Sequence, residues 1–342
     1  MNPLVGFPSF ARHARAFVAT GLLAGSLVSA NTANASLAFT FDYSGNTAGV
    51  GFLDPVSGAA RQTALTTAGN LFSTMFGNFF TNMGTINMGV TSTVDPNAST
   101  LASAFSNFVN VPGTFGGGEV IRNRLINGID LNGAALDGGV DVNWGYAWEL
   151  DPNTPAVAPG PGQTFDLYAA LFHEFTHALG FGSEISGDPA GDRFGQGGDG
   201  SGSPGSWSRW DQFLSTCAIV GTPLVNGATY TVSTAAVADA RANGGCFVGI
   251  NAMAANGAGP VQLFANPDQS HLDTGTFPTA MMKPDRDYGP QEARIYNGVE
   301  VGILTDLGYT RVTVGNNVPE PGSIALILAG LAGLVLTTRR KA

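Results

Sequence analysis

Between Ser57 and Phe80 apolar residues recur at helical spacing, with Leu65, Leu71, Phe72, Met75, Phe76 and Phe79 on one side, and predict a helix facing inward. Thr85–Val94 and Val140–Leu150 instead alternate apolar and polar residues, the period of half-buried strands. A second helical stripe runs through Leu167, Leu171, Phe175 and Ala178, widened by Tyr168, Phe172 and Leu179, so this helix reads as central. Pro159, Pro161 and Gly162 exclude an earlier start, Thr164 or Asp166 can cap its first amides, and Gly180 stops it. Gly187–Ser206 has no period and reads as a low-complexity surface loop. Trp207–Leu214 is apolar again, with Trp210 and Phe213 packing a second, smaller lobe, and Gly302–Tyr309 predicts a short closing helix and cap. The order of elements predicts an α+β fold.

Inside the central helix stands His173-Glu174-Phe175-Thr176-His177, an H-E-x-x-H pattern. Residues four apart share one helix face, so both imidazoles can reach one cation, while Glu174 faces a water beside it. Three titratable groups in an apolar segment need a partner, and a zinc ion supplies one.

Catalytic zinc takes three protein ligands and leaves a position for water, so a third ligand is required. The chain has only four histidines, His13, His173, His177 and His271. His13 falls in a removable N-terminal segment, which leaves His271. The compact alternative, six residues after His177, is Ser183; Glu184 beside it and the acids of the following Gly-rich stretch stay open as carboxylate ligands. Asp188, Asp192 and Asp199 in that stretch also leave calcium open as a second metal.

His173–Gly180 with Phe181, then a long insertion, Ser270-His271-Leu272-Asp273, Ala280-Met281-Met282-Lys283-Pro284 and Leu304-Thr305-Asp306-Leu307-Gly308-Tyr309 together resemble the metzincin zinc proteases. Within them the chain is most similar to leishmanolysin-like enzymes, whose third histidine is displaced by an insertion after the turning glycine. The resemblance covers about Phe165 to Tyr309. It implies a zincin-like mixed sheet with a central zinc-binding helix, an active-site cleft and a smaller C-terminal lobe, and it puts Met282 in a tight turn beneath the metal. It also implies peptide-bond hydrolysis, with Glu174 as general base and a protein or peptide as substrate. The insertion, residues 182–269, is Gly-rich with few cysteines, so nothing of the family's insertion carries over to it.

Composition adds the setting. Hydrophobic residues make up 44% and charged residues 12%, so Gly, Asn, Ser and Thr in loops carry the surface polarity. Between Ser36 and Asn317 ten Lys/Arg face twenty-four Asp/Glu, a net charge of −14, which argues against a nucleic-acid partner. Arg12, His13 and Arg15, an apolar run Ala16–Ala30 and Ala33-Asn34-Ala35 form the pattern of a secretory signal over residues 1–35. Residues 318–342 hold Val318-Pro319-Glu320-Pro321-Gly322, an apolar run Ile324–Leu336 and Arg339-Arg340-Lys341. This tail resembles the PEP-C-terminal sorting signals of Gram-negative bacteria. It implies a transmembrane stage with transient anchoring, then cleavage by a transpeptidase-like membrane enzyme and delivery to the cell surface or beyond. The run itself spans at most about 20 Å as a helix, marginal for a bilayer. Cys217 and Cys246, the only cysteines, can close a loop of about thirty residues worth roughly 3 kcal/mol in an oxidising compartment.

The chain is therefore expected to be an exported zinc-dependent endopeptidase with its body over residues 36–317. The alternative is a non-catalytic zinc-containing surface or extracellular matrix protein. The two share every motif and differ in whether zinc removal abolishes hydrolysis or only lowers stability.

Overall fold

The computed structural model describes residues 37–76, 82, 84–185, 204–217, 221–265, 269–290 and 294–310. The chain begins with β1 (Leu37–Asp42), α1 (Gly58–Phe76), β2 (Gly84–Thr93), β3 (Ala102–Ser106), β4 (Thr114–Phe115), α2 (Val120–Asn127) and β5 (Gly138–Asn143). It continues with β6 (Trp148–Glu149), β7 (Phe165–Asp166), α3 (Leu167–Ala178), β8 (Ser206–Trp207), β9 (Leu214–Thr216) and α4 (Thr234–Asn243). Then come β10 (Gly245–Phe247), α5 (Ile250–Ala255), β11 (Val261–Gln262) and α6 (Gly298–Asp306). The result is a mixed α+β fold in which α3 bears two of the histidines.

The main sheet has the order β1-β2-β5-β3; β1, β2 and β5 are parallel and β3 closes one edge antiparallel to β5. Alternation along β2 buries Ile86, Met88 and Val90, while Thr85, Thr91 and Thr93 stay exposed. The opposite face is polar, with Thr40 bonded to Asn87 at 2.5 Å and Thr91 to Asp141 at 2.7 Å. One covered face explains the strict period of two. On that face Phe39 stacks on Phe175 of α3 at 4.8 Å, and Phe72 of α1 meets both Phe172 and Phe175 edge-on. Such aromatic pairs add about 0.5–1.5 kcal/mol each beyond the area they bury.

Several expectations are corrected in detail. Leu71 lies on the exposed side of α1, because Leu65, Ala68, Phe72 and Phe76 already fill the inward stripe and Leu71 falls beyond its edge. Phe79 and Phe80 lie outside the described residues. The strand expected through Leu150 breaks after Asn143, whose side chain accepts from Asp95 and Gly145 amides and donates to the Asp95 and Thr100 carbonyls. That set of bonds closes a turn, and extended chain resumes at β6. Trp210 is fully buried, while Phe213 is only partly so.

The stretch between α3 and His271 contributes a small sheet of order β11-β10-β9 with α4 beside it, and Ser206–Trp207 pairs with β4 rather than ending a loop. Residues 186–203, including Asp188, Asp192 and Asp199, lie outside the described residues. Cys217 and Cys246 form a disulfide that ties the end of β9 to β10.

The transmembrane expectation is also corrected. Among the described residues no helix is long and apolar enough to cross a membrane. The longest, α1, carries Arg61, Gln62 and a row of threonines whose hydroxyls turn back onto the helix carbonyls. The apolar runs at 16–30 and 324–336 lie outside the described residues.

Candidate metal centre

Helix α3 starts where Asp166 accepts hydrogen bonds from the Tyr168 and Ala169 amides at 3.0 Å, so Asp166 rather than Thr164 is the cap. Arg294 clamps the same carboxylate through Nε and Nη2, at 3.0 and 2.9 Å. Nearly every side chain of the helix is buried; Glu174 and His177 are the partly open positions. The helix ends at Gly180, whose φ of +96° lies in the left-handed region that glycine adopts without strain. A Cβ there would come within 2.5 Å of Glu119 Oε1. The Tyr309 hydroxyl, donating to the Leu179 carbonyl at 2.7 Å, holds this end from behind.

Three imidazoles converge. Nε2 of His173 lies 2.9 Å from Nε2 of His177 and 3.3 Å from that of His271, and the His177–His271 distance is 3.1 Å. Nδ1 of His173 faces the Met281 carbonyl at 2.7 Å, and Nδ1 of His177 faces the Phe181 carbonyl at 2.6 Å. A carbonyl can only accept, so both Nδ1 atoms donate their proton there and both Nε2 atoms present bare lone pairs; the Arg286 Nη2 that lies 2.9 Å from His173 Nδ1 donates to the same Met281 carbonyl, which two donors share. Two lone pairs 2.9 Å apart with no proton between them repel unless a cation bridges them. Zinc held tetrahedrally at ~2.0–2.1 Å from each nitrogen would space its ligands by about 3.3 Å, close to the separations here. Burial, then the charges of His177, Arg286 and His271, push the His173 pKa well below the usual histidine value, which keeps the ring in the neutral form ligation needs. Among the described residues this is the one group of three or more His, Cys, Asp or Glu side chains close enough to hold a metal.

Glu174 faces the same cleft of about 950 Å³, which β3, the three histidines and Arg286 also line. Its Oε2 accepts the Ala104 amide of the edge strand at 3.0 Å. Burial raises its pKa to about 8, against the opposing pull of that bond and of Arg286. Ser183 and Glu184 stand apart from the imidazole cluster. The Ser183 hydroxyl and the Glu184 amide both donate to the buried carboxylate of Asp211, at 2.6 and 3.1 Å, and Glu184 lines the cleft without joining the cluster.

Met282 is fully buried, and its carbonyl accepts the amide of Leu272, the residue after His271. The peptide joining Met281 to Met282 is a hub. Its carbonyl takes the His173 Nδ1 proton and a bond from Arg286, and its N–H donates to Glu300 Oε1 at 2.7 Å. Sequence reasoning missed Glu300, although Asn297-x-x-Glu300 before an apolar run is a capping-box pattern, and the box is formed here. Asp211, Gln269 and Arg286 carried no such signal, because their partners are remote in the chain.

Residues 317–341 match the PEP-CTERM protein-sorting motif. No curated protein and no solved structure matches the chain. The motif supports an extracytoplasmic or surface address in a Gram-negative-type sorting system and leaves the chemistry of the body to the three-histidine cluster.

Proposed function

We propose that this chain is an exported zinc-dependent endopeptidase, a metzincin of leishmanolysin-like type. The observation that carries the reading is the pair of bare Nε2 atoms on α3, joined by that of His271, in a cleft that also holds Glu174. In this reading His173, His177 and His271 hold the zinc. A bound zinc ion supplies Lewis acidity and draws the pKa of a water toward neutrality. Glu174 accepts the proton of the attacking water and delivers it to the leaving amine.

The outward backbone of β3 lies along the cleft and can pair with an extended peptide, so main-chain bonds would hold a protein substrate whatever its side chains. Met282 takes the place of the family's turn methionine. Residues 1–35 act as the export signal and 36–317 as the catalytic body, and 318–342 are handed to a transpeptidase-like sorting enzyme.

The test is zinc content of the purified chain together with hydrolysis of unfolded protein, with and without chelator, beside Glu174→Ala. About one zinc per chain and chelator-sensitive cleavage lost in Glu174→Ala supports the proposal. Zinc without cleavage assigns the site a structural role in a surface protein, and absence of zinc rejects the metal reading.

A further inference from the structure

His173 and His177 are spaced by one helix, but His271 must be brought to them from 94 residues beyond His177. The residues that bring it there belong to the inserted region. Gln269, two before His271, is buried at 1% exposure. Its Oε1 accepts the Gly245 amide of β10 at 2.8 Å, and its Nε2 donates to the Ala240 carbonyl of α4 at 3.2 Å. Its own carbonyl accepts the indole N–H of the fully buried Trp210 at 3.1 Å. One side chain and one carbonyl thus fasten the approach to His271 at three places in the insertion.

The backbone agrees. Gln269 has φ +51°, a left-handed conformation that costs a non-glycine residue and persists only where its surroundings impose it. Gly245 is open enough for the contact because it lacks a Cβ, which would lie 2.2 Å from Gln269 Oε1. On either side of the histidine the chain is also held. Ser270 Oγ accepts the Ser183 amide at 3.0 Å, and the His271 carbonyl accepts the Phe264 amide at 2.9 Å.

We infer that the inserted region is the mount of the third metal ligand, and that Gln269 is the positioning residue that locks His271 into the cluster. This rests on the metal reading above and deepens it: the insertion replaces the short turn that would otherwise carry the third ligand. Orienting a ligand beforehand raises affinity because binding then orders nothing further.

The experiment measures Zn²⁺ affinity of the full-length chain by competition with a chromophoric chelator, and the visible spectrum of the Co²⁺-loaded chain. Gln269→Met keeps length and bulk and removes the side-chain hydrogen bonds to Gly245 and Ala240. It is expected to weaken zinc binding by about 10–100-fold and to shift the Co²⁺ bands as His271 leaves. In a His271→Ala background the same substitution is expected to cost no further affinity, because the ligand it positions is gone. Trp210→Phe, which keeps an aromatic though smaller ring and removes the N–H to the Gln269 carbonyl, is expected to weaken zinc severalfold with the same dependence on His271. It decides the matter if Gln269→Met does not fold. Wild-type zinc affinity and Co²⁺ spectrum in a folded variant overturn the inference, as does an equal loss with and without His271. A wild-type chain that takes up no zinc rejects the metal reading itself and this inference with it.

Discussion

Replacing Glu300 with glutamine tests how the metal site is held from behind. The fully buried carboxylate accepts the Asn297 amide at the start of α6 and the Met282 amide, each at 2.7 Å. An amide of the same shape has one acceptor oxygen, so one of these two N–H groups must face an NH2. A buried donor without an acceptor costs about 1–3 kcal/mol, and the surviving bond loses its charge assistance, about 1 kcal/mol more. At pH 8 the amide also escapes the cost of keeping an ionised carboxylate buried, about 3 kcal/mol for a pKa raised from 4.5 to about 7, so this loss of about 2–4 kcal/mol is largely offset and the unfolding free energy should change by no more than about 1 kcal/mol. The Met281–Met282 peptide that loses this anchor also accepts the His173 Nδ1 proton, so zinc affinity should weaken by about tenfold. Urea unfolding followed by tryptophan fluorescence, in chelator at pH 8, reads the first effect. That pH lies above the Glu300 pKa of about 7, so the wild-type group is ionised. Chelator competition reads the second. A loss of the full 2–4 kcal/mol at pH 8 contradicts the burial cost of the carboxylate, and intact zinc affinity refutes the link from Glu300 to His173.

Glu174→Gln should retain about one zinc while kcat falls by about 10²–10⁴-fold, the usual worth of a general base, and wild-type turnover would remove Glu174 from the mechanism. Gly180→Ala puts a Cβ at φ +96° and 2.5 Å from Glu119 Oε1, so urea unfolding should show a loss of about 2–4 kcal/mol; a change below about 1 kcal/mol contradicts the described turn. Stability of the chelated protein should fall between pH 6.5 and 8. Burial raises Glu119 and Glu300 from 4.5 to about 7, so the native state holds protons that the unfolded chain has released. Their contribution is full below 4.5 and is lost as pH rises through about 7, about 1.5 kcal/mol for the pair across this window, and Glu174, raised to about 8, adds a loss of similar size. His173, held well below the usual histidine value of 6.5, is neutral in the native state while the unfolded chain still sheds about half a proton above pH 6.5, an opposing change of about 0.4 kcal/mol that leaves the net fall intact, so a flat or rising urea midpoint would contradict the burial of these carboxylates.

Local pattern determined a good deal by itself. The period of 3.6 through Leu167–Ala178, the cap before it and the glycine after it fix where α3 begins and ends, because capping and φ preference act within a few residues. The four-residue spacing then places His173 and His177 on one face without reference to the rest of the chain. With so few histidines, His271 followed by elimination. The same locality explains the successes at α1 and β2 and the errors at Leu71 and after Asn143. A periodic stripe marks a face but not its edge, and a turn closed by Asn143 depends on Asp95 and Thr100, some forty residues away.

Tertiary structure alone decided what surrounds the imidazoles. The tautomers of His173 and His177 are set by the Met281 and Phe181 carbonyls, and the depressed His173 and raised Glu174 pKa values come from burial no linear pattern encodes. Gln269 reads as an ordinary loop polar residue until α4, β10 and Trp210 converge on it. Sequence specifies which donors exist and how close neighbours are spaced along one element. Chain closure over long separations decides which of them meet, and at this centre that closure supplies the third imidazole, the buried carboxylates and the low-dielectric setting that gives them their chemistry.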